Sequence, residues 1–449
     1  MLFRLKIQII FIYALFSVGS IHSQNDTILL TLKEAQQLAI ENDVSYKTLL
    51  LNHQIADKQL SLAWAQLYPQ VQVGMDLRYN IERPISLLPG ETVGRPGEVV
   101  IAKLGSDFGG APVVELKQIV FDASLFSELK IIKESEKANT LEKEISIKEI
   151  KTFIAKAYFN CFIHQERIKQ LQLAENRLKS TLTQIQIKIQ ANLLPSIEEE
   201  RIQLAIQNAQ SNFIKANQTL FLEKALLKYT IGLPQNQPMK LVNQFESIND
   251  LDADFATLSI QPFDLSHLPK IQLQNHQIQL SKLKIEQQQK THLPTVSFYG
   301  NMGIIALSKK YQSGSDQNLS WHFNSYIGIR ANWRLNNFID NRHILPQLEL
   351  KRQQAELQLK EQKRLANIEV TRANGKLANA LEDYHIHKQK AVFAKKELDY
   401  LEIRFRNDLV TSKEVLAAEE TLVESQQALL VAYYNYLSAR FELMMLNNT

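Results

Sequence analysis

Apolar residues recur at helical spacing along most of the chain, but four stretches alternate apolar and polar positions residue by residue. In the clearest, Val71, Val73, Met75, Leu77, Tyr79 and Ile81 point one way, and Gln72, Gly74, Asp76, Arg78 and Asn80 point the other. Successive side chains on a strand face opposite sides, so this spacing predicts one apolar and one wet face. A length of about ten residues suits a tilted strand crossing a bilayer. The pattern returns at Val296, Phe298, Gly300, Met302 and Ile304, and again at Phe323, Ser325, Ile327, Ile329, Ala331, Trp333 and Leu335. A weaker fourth strand is expected over 111–121. There Val114 and Leu116 alternate with Glu115 and Lys117 until the phase slips at Gln118, as a β-bulge would make it do.

The helical segments repeat with the strands. A helix over 32–67 ends at Tyr68-Pro69 just before the first strand, and a helix over 269–292 ends at Leu293-Pro294 just before the third. Proline past a helix end cannot continue the hydrogen-bond ladder, so both prolines read as stops. The loops 83–110 and 308–321 are rich in turn formers and read as irregular surface loops. After Asp122 a helical pattern runs to about Gln190, and after Asp340 to about Arg406, with an irregularity expected near Pro346. A helix of roughly seventy residues reaches on the order of 100 Å.

Each long helix turns and comes back. Val415, Leu422, Leu429, Tyr436 and Leu443 repeat every seven residues beside Ala418, Ser425, Ala432, Ala439 and Leu446, which predicts a coiled-coil seam with one row of small residues. Ile202, Ile206, Ala209, Phe213, Ala216 and Leu220 make the corresponding row in the first returning helix. The turns align as Ala191-Asn192-Leu193-Leu194-Pro195-Ser196 and Asn407-Asp408-Leu409-Val410-Thr411-Ser412, with Ser196 and Ser412 expected as N-caps. The chain therefore divides into a first repeat (24–239), a linker (240–267) and a second repeat (268–449).

Composition narrows the class. Arg4 and Lys6, the apolar run 7–18 and the small and polar residues through Ser23 describe a secretory signal peptide over 1–23. No later stretch is apolar enough for a spanning helix, so entry into a membrane requires a closed barrel. With 14 glycines and 12 prolines in 449 residues, long unbroken elements are expected. A net charge of +4, evenly mixed, leaves no nucleic-acid footprint. The single cysteine, Cys161, is expected to pack in a helix. His385 and His387 stand two apart on a helix and do not share a face as metal ligands would; surface positions are expected for both. No phosphate loop, nucleophile elbow or zinc signature is present, so no catalytic, cofactor or metal residues are assigned.

The residues 35–42 (Ala-Gln-Gln-Leu-Ala-Ile-Glu-Asn), the strand launches Leu67-Tyr68-Pro69 and Leu293-Pro294, the segment 404–416 around the second turn, and Tyr229-Thr230-Ile231-Gly232-Leu233-Pro234 together resemble the TolC-type outer-membrane efflux protein family. The resemblance implies an α+β membrane protein. Three protomers would give four strands each to a 12-stranded transmembrane β-barrel, continued by a long α-helical periplasmic tunnel, with the linker part of a belt around its middle. Trp321, Trp333, Tyr79 and Phe108 would mark the membrane boundary. The implied function is a passive exit duct of a tripartite efflux or type I secretion system, in the cell outer membrane with a periplasmic extension. Its implied partners are a periplasmic adaptor protein and an inner-membrane pump. Family members usually have glycine in the tip turn, where this chain has Asn192 and Asp408, residues that tolerate positive φ. Acidic residues after the turn line the constriction in the family. Glu414 takes one such position by register and Glu198 is its counterpart, whereas Ala417 falls where a second acid is often found. The competing reading is a periplasmic coiled-coil adaptor or scaffold, which the four strands do not fit.

Overall fold

The computed structural model describes residues 27–83, 85–103, 107–242, 264–308 and 320–447. The expected signal peptide, most of the linker and most of the loop 308–321 lie outside the described residues, as do the side chains of Phe108 and Trp321. The chain forms two compact units, one from residues 48–145 and 264–366, the other from 27–47, 146–242 and 367–447 where described. Each unit draws segments from both expected repeats.

The first unit contains a four-stranded antiparallel sheet in the order β2-β5-β7-β8, formed by Gln70–Tyr79, Phe108–Phe121, Thr295–Ser308 and Ser320–Asn332. All four alternating stretches are therefore strands of one sheet, each displaced a few residues from its expected bounds. The phase slip is a register shift between Ile119 and Phe121 against β7. It has a purpose in the pattern: one extra residue brings Phe121 opposite Val296, and so back to the apolar side.

The loop 83–110 is not irregular throughout. Ile85–Pro89 (β3) and Val99–Lys103 (β4) pair antiparallel around a 3-10 turn at Gly90–Val93. The short apolar runs on either side of the turn formers carry this hairpin. Gly90 is required in it, because a Cβ there would lie 1.8 Å from the Arg95 carbonyl oxygen.

The expected opening helix 32–67 is two helices, Leu32–Asn42 (α1) and Val44–Ala65 (α2). Asp43 is extended between them, and its carboxylate accepts from the Tyr46 amide at 2.7 Å, which ends one helix and starts the next. The long helices are Ala123–Gln190 (α3, 68 residues) and Asn336–Arg406 (α6, 71 residues). Asp122 caps α3, accepting from the Ser124 and Leu125 amides at 2.9 and 3.2 Å. Pro346 causes no break; α6 runs through it, losing one backbone donor in a long ladder. Ile197–Ile231 (α4), Pro269–Lys290 (α5) and Ser412–Asn447 (α7) complete the helices. None in the described residues is long and apolar enough to cross a membrane.

The second unit holds two apolar cores. One gathers the seam residues Val415, Ala418 and Leu422 of α7 with Ile202 and Ile206 of α4, Leu178 and Ile185 of α3, and Leu398 and Phe405 of α6. The other is broader, because α7 from Leu430 onward also buries Tyr433 and Leu437 beside the expected Tyr436 row. It closes on Ile28–Leu30 (β1) and Met239–Leu241 (β6), a parallel pair that straddles the expected start of the linker. The Tyr158 hydroxyl points at the backbone carbonyls of Leu30 and Val242, 2.8 and 2.7 Å away, and burial pushes its pKa up to about 12. Cys161 packs fully buried in this core, its thiol also pushed up to about 12, as suits a packing residue. His385 and His387 are half-buried instead of exposed, and the His387 Nδ1 is buried without a hydrogen-bond partner among the described residues.

Candidate functional site

Two regions carry the candidate function: the faces of the sheet in one unit and the helix turns in the other. On the sheet, register joins the alternating positions into continuous rows. Val71, Leu116, Gly300 and Ile327 lie side by side, and the next row holds Val73, Val114, Met302 and Ser325. Val73 and Leu77 are 77% and 71% exposed, and Ile327 is 78% exposed. An apolar sheet face this uncovered is unlike a domain core and is matched to a medium that wets apolar groups. Tyr79 and Trp333 are also exposed, and the Trp333 indole donates to the His292 carbonyl at 2.8 Å.

The opposite face is polar across the same strands. Its rows read Gln70, Lys117, Tyr299, Gly328 and then Gln72, Glu115, Asn301, Tyr326. Tyr299 lies flat over Gly328, where a Cβ would be only 3.0 Å from the ring, and the Arg330 guanidinium stacks 4.3 Å from the ring centroid. The two edge strands, β2 and β8, each have one unpaired side in the described residues.

At the helix turns, Asn192 and Asp408 both have φ of 58°, the only non-glycine residues with positive φ among those described. The hydrogen bonds match. The Leu193 amide reaches the Lys188 carbonyl at 2.8 Å, and the Leu409 amide reaches the Arg404 carbonyl at 2.9 Å. Each is paired with a shorter loop, Asn192 to Ile189 and Asp408 to Phe405, which makes two Schellman turns.

The caps after the turns differ from expectation. Ser196 is helical and makes no side-chain cap. Ser412 is already the first residue of α7, and Thr411 is the cap. Thr411 and Glu414 form a capping box: the Thr411 amide donates to Glu414 at 2.7 Å, and the Glu414 amide to the Thr411 hydroxyl at 3.4 Å. The Thr411 backbone and hydroxyl hold the Glu414 carboxyl below the usual range. Glu198 instead accepts from the Ser412 hydroxyl and pairs with Arg201 at 2.6 Å. So Glu198 links the two hairpins, whereas Glu414 is folded back on its own helix start.

Sequence reasoning missed Lys188. Its ammonium donates to the Phe405 carbonyl, pairs with Asp408 at 2.6 Å and lies 4.2 Å from the Phe405 ring centroid. Its side chain is 11% exposed against 62% for Asp408. A lysine in the last turn of a helix was the only signal available, and it suggested a cap for its own helix, not for the neighbour's. Arg177 was missed as well. It holds Glu419 through two bonds of 2.9 and 2.6 Å, with the Glu419 side chain 7% exposed, and this pair ties α3 to α7.

Comparison with known proteins agrees with this geometry. Residues 265–449 match the family model described as outer membrane efflux protein. No curated protein matches by sequence. The fold is similar to that of VceC, an outer membrane protein from Vibrio cholerae, with TM-score 0.67 and 15% identity over 92% of this chain and 95% of that one. It is also similar to CusC, with TM-score 0.68 and 17% identity over 93% and 92% of the two chains. The Neisseria gonorrhoeae MtrE outer membrane channel, solved in an open state, gives 0.67 and 16% over 92% and 88%. The fold is mostly helical with one four-stranded sheet and two small strand pairs among the described residues, an α+β architecture. The resemblance to the TolC-type outer-membrane efflux proteins is therefore borne out, by the family's own sequence pattern over residues 265–449 and by its fold over nearly the whole chain.

Proposed function

We propose that the protein is an outer-membrane exit duct of a tripartite efflux or type I secretion system, conducting substrates passively. The observation that carries this reading is the sheet: one face apolar and uncovered, the other polar, and both edges unpaired among the described residues. Lipid tolerates no open sheet edge, and three copies of four strands would close a barrel of twelve with the apolar face outward. The long helices would continue it as a periplasmic tunnel, built by duplication of one plan. A periplasmic adaptor and an inner-membrane pump would supply docking and energy; the chain itself carries no enzymatic role in this reading.

At the tips, threefold symmetry would turn Glu414 and Glu198 into rings, with Asn192 and Asp408 shaping the turns above them. Rings of carboxylates favour cations. Glu198 is already paired with Arg201, while Glu414 has no ion-pair partner among the described residues, so Glu414 should dominate selectivity. The test is planar-bilayer conductance of protein purified in detergent. We expect stable, discrete channels whose cation preference drops in Glu414→Gln more than in Glu198→Gln. A protein that stays soluble without detergent and never conducts would favour the coiled-coil adaptor reading instead. Unchanged selectivity in both variants would remove the ring proposal while leaving the duct.

A further inference from the structure

We propose that His53, Asp57 and Glu136 form a binding site for one divalent transition-metal ion of the zinc class, joining α2 to α3. His53 and Asp57 are four apart on α2, so they stand one above the other on a single helical face. Glu136 comes from α3, and one donor atom from each of the three lies within 4.8 Å of the others. Zinc bonds of about 2.0–2.2 Å put tetrahedral donors roughly 3.3 Å apart, a gap that side-chain torsions alone can close. Among the described residues no other group of three His, Cys, Asp or Glu donors meets this condition.

A second observation is the state of these side chains. The neighbouring carboxylate Glu134 is matched by His276 at 2.6 Å and Lys137 at 3.1 Å, and Glu286 by Lys130 at 3.4 Å and Lys290 at 2.5 Å. Among the described residues Asp57 and Glu136 have no such partner, although donor atoms of the two approach within 4.8 Å; the His53 and Glu136 side chains are half-buried and Asp57 is exposed. Two carboxylates held together without a cation repel; a dication placed between them and an imidazole removes that repulsion. Buried Ala56 lies between His53 and Asp57 on the sequence, and buried Ala138 follows Glu136 closely, so small residues border the donors on both helices.

The donor set selects the ion. One imidazole nitrogen and two carboxylate oxygens suit zinc and its first-row neighbours. They do not suit a soft cuprous ion, which prefers sulfur, and they fall short of the six to eight oxygens calcium takes. Water would complete the coordination. The proposal does not depend on the duct reading, since it concerns two helices of one chain.

The test is calorimetric titration of zinc chloride into the full-length, tag-free protein in detergent after chelator treatment, with thermal unfolding read in parallel. The expected result is one zinc per chain, a midpoint that rises with zinc, and binding weakened about tenfold or more in His53→Ala and in Glu136→Gln. Glu136→Gln keeps shape and size, and its circular dichroism checks that a loss is not misfolding. No binding by the native protein would overturn the proposal. So would binding that survives unchanged in Glu136→Gln, which would place the ion on other histidines.

Discussion

The two helix turns have the same backbone and different wiring. Asn192 and Asp408 hold the same positive φ, and both turns close through the same pair of hydrogen bonds. Beyond that they part. The second hairpin has a self-contained start, with Thr411 and Glu414 satisfying each other's amides. The first has Pro195 where Thr411 stands and Ser196 in a helical conformation, so it has no side-chain cap of its own. Its polar groups reach across instead: Lys188 to Phe405 and Asp408, and Glu198 to Ser412. The geometry of a turn is thus set by the backbone, while side chains decide whether it stands alone or leans on its neighbour.

The largest effect should come from Lys188→Met, which keeps the apolar stem and removes the charge. A charge-assisted hydrogen bond is worth about 1.5–3 kcal/mol, so local opening should become roughly ten- to a hundredfold more frequent. The substitution lies in the first hairpin, but the loss should appear in the second, at the amides of 404–410. Hydrogen exchange read by mass spectrometry locates it. Unchanged exchange there, or a change confined to 188–193, would mean that the cross-link contributes nothing.

A smaller effect should separate the two positive-φ residues. Left-handed backbone costs an ordinary L-residue about 1–2 kcal/mol, so Asn192→Ala should raise local opening about fivefold or somewhat more. Asp408→Ala meets the same backbone cost and also loses the pair with Lys188, though the exposure of Asp408 limits that addition to a fraction of a kcal/mol. Asp408→Asn, which keeps the tolerance for positive φ, isolates the ion pair. Equal exchange in Asp408→Asn and the native protein would assign the whole difference to backbone.

Most of the fold was legible because it is periodic. Alternation located all four strands of the sheet, and the heptad row of α7 located its seam. The slip at Gln118 was readable as a bulge because a one-residue phase change has only one backbone meaning. What sequence could not give was pairing between distant segments. Lys188 with Asp408 and Arg177 with Glu419 each join segments far apart in sequence, His53 and Asp57 approach Glu136 across a similar separation, and none breaks a local pattern. The β3–β4 hairpin was hidden for the opposite reason: its strands are short and sit among turn formers. The break at Asp43 was hidden because the apolar spacing runs through it, and only the bond from the Tyr46 amide reveals the new start.

The smallest effect concerns acid. The carboxyl of Glu414 is held below its ordinary value of 4.5, first by the Thr411 amide and then by the Thr411 hydroxyl. A carboxyl lowered in the folded state stabilises it fully above the ordinary value, and that contribution fades as pH falls through the lowered one. Glu414→Gln should therefore open the first turn of α7 more readily than the native residue at neutral pH, and the gap should shrink as pH drops well below 4.5. Comparing exchange of native and variant protein at the same pH cancels the intrinsic rate. Thr411→Ala should reproduce the neutral-pH loss, since it removes the other half of the box. The first turn of α4 should respond less than that of α7, because Glu414 bonds to Thr411 at its own helix start and reaches α4 indirectly, through the Glu198–Ser412 hydrogen bond. Thr31 and Glu34 form a second capping box at the start of α1, with the Glu34 carboxyl likewise lowered by the Thr31 amide, so Glu34→Gln should show the same acid convergence. A gap that persists undiminished in acid at α7 and closes at α1 would mean that Glu414 acts there by something other than its charge.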